Sequence, residues 1–183
     1  MKHAGWKLTW GRQRKRDGMK MRMLVLGLVV AAGMVLSAGQ LMAAKPANAK
    51  KLDALATAAL EAMKQKAAEL NIQGVAVVSY AEGDSVQKWS SKMAVVGHMT
   101  DPKASANGNN LLGIAYAKSA EMARTLKDSG TAGGAPMTGE FGWQGGVILK
   151  TSSGYVIVAF SGGKSEDDVQ VSKAGLEVMK KGL

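Results

Sequence analysis

Two short apolar runs near the C-terminus, Gly146–Thr151 and Tyr155–Phe160, are separated only by Ser152-Ser153-Gly154. Strands this close in sequence pair antiparallel through a tight turn, because a parallel pair needs a long crossover. Ser161-Gly162-Gly163 then stops the second strand. A helix is predicted from Ser165, with Asp168 three residues on as a short-chain form of the capping box. Its spacing buries Val171, Ala174, Gly175 and Val178.

The rest of the chain extends this pattern. Lys50–Leu70 places apolar residues at helical spacing and ends at Asn71. Gly74–Tyr80 is short and β-branched, which predicts a strand. Glu82-Gly83-Asp84 turns the chain into a second strand from Val86 to about Val96. Asp101–Asn110 is a polar loop. A helix over Leu111–Lys127 follows, capped by Asn109 or Asn110 and stopped by Gly130. Its first turns are apolar on nearly every side, which predicts a place in the core. Ser129–Gln144 is a long Gly- and Pro-containing loop with Phe141 and Trp143. The order α-β-β-α-β-β-α, with strands in hairpin pairs, predicts an α+β domain with a mostly antiparallel sheet and helices packed on it.

That domain spans residues 45–183; residues 1–44 read as a basic extension and a signal peptide. From Met19 the chain runs Met-Lys-Met-Arg, then uncharged from Met23 to Leu36, then through Ser37, Ala38 and Gly39 to Ala43 and Ala44. A positive start, an apolar centre and a small-residue exit are the secretory pattern. The apolar stretch is shorter than the ~20 residues a membrane span needs. Cleavage is expected after Ala43 or after Ala49, with an uncleaved anchor as the alternative. Residues 1–18 are either a basic extension or precede the true start at Met19 or Met21. The mature protein is expected in the periplasm or secreted, touching a membrane only through this leader.

The leader also accounts for the charge. Of the formal +10, residues 1–44 carry +7, with eight Lys/Arg against Asp17 alone. The remaining +3, with two phenylalanines in the chain, gives little basis for nucleic-acid binding. No cysteine is present, which excludes disulfides, thiolate catalysis, cysteine zinc sites, covalent haem attachment and a lipid anchor on cysteine. The chain has no G-x-S-x-G elbow, Walker loop, H-E-x-x-H or dinucleotide fingerprint.

Three stretches in order resemble the GlcG/HbpS-like family, which includes the C-terminal domain of PduO-type proteins. Gly145-Gly146, the hairpin, Val158-Ala159-Phe160-Ser161-Gly162-Gly163, Glu166 and Asp168 resemble its G-G…V-S-G-G-x-x-E-x-D ending. Ile114-Ala115-Tyr116-Ala117-Lys118 is similar to its central-helix I-A-x-x-K, and Val75-Ala76-Val77-Val78 to its first strand. The chain departs from the family at Ser79, where an Asp is expected, and at Ile148, where a Pro is expected. The resemblance implies a compact sheet–helix domain, often a symmetric homo-oligomer, whose exported members are associated with haem binding.

Under that reading the ligand is a small molecule, haem first. His98, within Gly97-His98-Met99-Thr100, is the one histidine after the leader and the candidate ligand to haem iron, with Met99 beside it. The alternative is a surface histidine at a strand end. Lys118 is a candidate partner for a ligand carboxylate or a solvated lysine. Tyr116 is a ligand contact or a core residue. Ser161, Gly162 and Gly163, ahead of a helix N-terminus, form a candidate anion-binding loop. Glu166, Asp167 and Asp168 in the same first turn favour a structural role for it instead. Two other functions stay open: a structural or sensory oligomeric subunit without haem, and a haem-degrading enzyme.

Overall fold

A computed structural model describes residues 46–183. The leader and the cleavage point after Ala43 lie outside the described residues. The cleavage point after Ala49 falls in the first turn of helix α1 (Pro46–Glu69). This helix starts four residues earlier than the apolar spacing indicates, because Pro46 suits a first helical position that needs no N–H donor.

Strands β1 (Gly74–Glu82) and β2 (Ser90–Val96) form an antiparallel pair with Gly74 opposite Val96 and Tyr80 opposite Ser90. The second strand begins at Ser90 rather than Val86. Val86 and Trp89 leave the strand path and pack beside Met122, Ile157 and Ala159. The polar loop holds two further short strands, β3 (Thr100–Asp101) and β4 (Asn109–Asn110), paired as a small ribbon. Helix α2 (Leu111–Thr125) is capped by Asn110, whose Oδ1 accepts from Gly113 N at 3.0 Å. It ends at Leu126, in the left-handed region, before Gly130 is reached.

Strands β5 (Gly146–Lys150) and β6 (Gly154–Ser161) form the expected hairpin, and α3 (Ser165–Gly182) closes the domain. The four-stranded sheet runs β2-β1-β6-β5, antiparallel throughout. The fold is α+β, with α1 and α3 on one face of the sheet and α2 on the other.

The central strands carry side chains into both layers, so every residue of β6 is buried. Ala76, Val78, Val156, Val158 and Phe160 meet Met63, Val171 and Met179 beneath α1 and α3. Val75 and Val77 meet Leu111, Ile114 and Ala115 of α2. Each fully buried Val or Phe contributes about 1.5–3 kcal/mol, so the double-sided strands are the main source of stability. Helix α3 buries Asp168, Val171, Ser172, Gly175 and Met179, a stripe that takes Met179 in place of Val178 and leaves Ala174 half-buried. Gly175 lets α3 approach α1, since a Cβ there would stand 2.7 Å from Met63 Cγ.

Helix α2 lies on the sheet with one face outward, rather than inside the core. Three of its seven buried residues are polar: Lys118, Ser119 and Glu121. Glu121 Oε1 accepts from Gly130 N at 2.8 Å. Beyond the helix, Asp128 and Ser129 accept from the backbone N–H groups of Ile148 and Gly146, both at 2.9 Å. These side chains take the place of a neighbouring strand and cover the β5 edge.

Candidate functional site

The sheet has two ends of different character. At the first end, β1 begins, β2 and β6 finish, and the candidate residues from the sequence other than Tyr116 collect. His98 is exposed at the close of β2, and its Nδ1 lies 2.7 Å from Gln73 Oε1. An amide oxygen only accepts, so the imidazole donates from Nδ1, and this bond leaves Nε2 uncommitted. Met99 is 40% exposed, and its backbone carbonyl accepts from Leu111 N at 3.0 Å, tying this turn to the start of α2.

Lys118 is placed differently. It is 3% exposed, with Nζ donating to Asp168 Oδ2 at 2.7 Å and to the Phe160 carbonyl at 2.8 Å. Asp168 is equally buried, and its Oδ1 accepts from Gly163 N at 2.8 Å. Burial pushes Lys118 below its ordinary pKa and Asp168 above its own, while each charge works against the shift of the other. The expected capping box at Ser165 is therefore absent. Lys164 is the N-cap without a side-chain bond, and Asp168 turns back to the glycine loop.

This explains Ser161, Gly162 and Gly163. The loop does receive an anion, and that anion is the carboxylate of Asp168. The pairing is tight at Gly145 as well: its φ is +137°, and a Cβ there would lie 2.2 Å from Lys118 Nζ. Gly145 O accepts from Ser172 Oγ at 2.7 Å and from Phe160 N at 3.0 Å. Lys118 thus joins α2, β6 and α3 into one buried polar knot.

Tyr116 is half-buried on α2, its Oη 3.1 Å from Ser91 Oγ. Directly across the strand pair from Ser91 stands Ser79, 1% exposed, whose Oγ has no hydrogen-bond partner among the described residues. The structure therefore brings His98 and Met99 together at the surface, while Lys118 and the glycine loop meet each other inside.

The second end of the sheet carries a cleft of about 650 Å³. It opens between the first turns of α1, the end of β1, the start of β2 and Met179 of α3. Leu52, Ala56, Val78 and Met179 line it, with Tyr80 and Trp89 as its aromatic groups. Lys92 belongs to this wall and pairs with Asp53 at 2.7 Å. None of these residues is singled out by the sequence. They come from four elements and share no spacing, although Trp89 in the polar stretch Gln87-Lys88-Trp89-Ser90 is a local signal of a kind.

Two further features bear on function. The Ser129–Gln144 loop is held by Arg124, which donates to both Glu140 carboxylate oxygens at 2.7 and 2.8 Å. It exposes Met137, Phe141 and Trp143, with the two aromatic rings 4.9 Å apart. Among the described residues, no group of three or more His, Asp or Glu side chains is placed to hold a metal ion, and no helix is long and apolar enough to cross a membrane. Comparison with protein-family models, with curated proteins and with solved structures gave no match to this chain.

Proposed function

We propose that the domain is an exported, periplasmic or secreted binding protein of the GlcG/HbpS-like kind, with haem as its ligand and His98 as the group that meets the iron. The observation that carries this reading is the His98–Gln73 hydrogen bond at 2.7 Å. A metal-binding imidazole generally has its other nitrogen held by an acceptor, which fixes the tautomer and the ring orientation. His98, exposed beside the exposed Met99, is the residue that would hold the iron. Lys118 is not part of it, because its amine is bound to Asp168 and Phe160. Haem, when bound, would supply the redox-active iron; the chain supplies the ligand nitrogen and its orientation.

The test is a hemin titration of the purified protein, followed in the Soret region, beside His98→Ala. A saturable band that shifts or weakens in the variant is expected. A saturable band indifferent to the substitution removes His98 from the role, and the absence of any saturable band removes haem. A second reading, an oligomeric subunit, is favoured by the exposed Met137, Phe141 and Trp143. Aromatic and methionine side chains gathered on a pinned loop are the composition of a protein interface. Light scattering on the protein and on Trp143→Ser checks it, with loss of a defined oligomer as the expected result.

A further inference from the structure

The cleft at the second end of the sheet is far from His98 along β1 and β2, and nothing in the haem reading uses it. Its volume, about 650 Å³, lies in the range of small-molecule sites, ~300–1,000 Å³. Its floor is apolar: Leu52, Ala56, Val78 and Met179. Tyr80 adds a flat, polarisable surface, its hydroxyl already held by Ser153 at 2.9 Å, while Trp89, packed toward α2, borders the wall. An apolar cleft with an aromatic wall suits a ring system better than a flexible chain.

The charges at its mouth select further. Three lysines, Lys50, Lys88 and Lys92, face two acids, Asp53 and Glu82. Asp53 is taken by Lys92, which also donates to Thr57 Oγ1 at 2.8 Å. Lys50 and Lys88 have no ion pair among the described residues. The first turn of α1, at the same mouth, contains no acid, in contrast to the three acids that open α3. The positive end of α1 is therefore not offset by its own side chains. Apolar floor, aromatic groups and a cationic rim are complementary to an amphipathic anion.

We propose that this cleft is a binding site for a planar aromatic molecule bearing a single carboxylate or sulfonate, its rings against Tyr80 and the apolar floor and its charge toward Lys88 and Lys50. The site is separate from His98, so it stands whether or not haem binds there.

The test is a fluorescence titration of the purified protein with anilinonaphthalenesulfonate, beside Ser90→Trp and Lys88→Glu. Ser90 is an exposed strand residue at the cleft wall. A tryptophan suits a strand and would fill the space without entering the core. A saturable enhancement is expected in the parent protein, lost in Ser90→Trp. In Lys88→Glu it should be weakened about fivefold at low salt, the scale of reversing one exposed charge, and less at high salt. Unchanged thermal melts would show that both variants fold. If Ser90→Trp fails to fold, Lys88→Glu alone still decides. No saturable enhancement, or one indifferent to both substitutions, overturns the site. An enhancement lost in Ser90→Trp but indifferent to Lys88→Glu overturns the anionic ligand. His98→Ala should leave this titration unchanged, which keeps the test distinct from that of the haem reading.

Discussion

One end of the sheet closes its cationic corner, beside the exposed His98, and the other leaves its own open, although a helix N-terminus and lysines occur at both. At the sealed end a helix N-terminus, a glycine loop and a lysine converge, and the chain supplies its own anion, Asp168, to satisfy them. At the open end a helix N-terminus, apolar side chains and lysines also converge, and there the space is a cleft of about 650 Å³. The difference teaches that a cationic, amide-rich corner is not a ligand site by composition. What decides is whether a carboxylate from the same chain reaches it first. Asp168 reaches across 50 positions of sequence to do so.

The largest expected effect breaks the sealed end. Lys118→Met leaves the Asp168 carboxylate buried without its cation, a loss of about 3–5 kcal/mol. Lys118→Met with Asp168→Leu should recover more than half of that, because the buried charge is gone. Urea unfolding of the single and double variants measures both. A double variant no more stable than the single would show that hydrogen bonds to Phe160 and Gly163 matter more than charge.

A smaller effect is expected from Ser79→Ala, on the α2 face opposite Ser91. Ser79 Oγ is buried without a partner among the described residues, so its removal should raise stability by about 1 kcal/mol. A loss of stability in the same unfolding assay would mean that the hydroxyl is satisfied and that this side of the sheet is as well sealed as the first.

The smallest effect concerns the pinned loop. The hydrogen bonds from Arg124 hold the Glu140 carboxyl below its ordinary pKa of 4.5, aided by the Met137 N–H. A depressed acid contributes stability that is present above its unfolded pKa and lost as pH falls through the folded one. Amide exchange in residues 131–143 should therefore quicken below pH 4.5, relative to the rest of the domain, and not in Glu140→Gln, where the loop is loosened at every pH.

The hairpin of β5 and β6, the α2 cap to within Asn109 or Asn110, and the three helices were legible because each rests on neighbouring residues. The start of β2 was not, because Val86 and Trp89 look like strand residues locally and are claimed by a cluster from α2 and β6. The role of Asp168 was hidden for a similar reason: three acids in a first turn suit the helix dipole, and nothing local says that one of them leaves to meet Lys118. His98 could be singled out by its type, but Gln73, the residue that orients it, lies 25 positions away. The cleft had no sequence signature at all, being assembled from one to several residues of each of four elements.

The pairing of β1 with β6 has a consequence for how the chain comes to exist. Val75 lies opposite Ser161 and Glu82 opposite Gly154, so the two innermost strands come from opposite ends of the domain. A polypeptide emerging N-terminus first, from a ribosome or through a membrane channel, presents β1 long before its partner. Until Ser161 has emerged, the valines of β1 have only β2 beside them and no finished core. Such long-range closure is slow to form and leaves sticky strands uncovered meanwhile. The domain is thus built to be assembled late and all at once, when its two most distant strands finally meet.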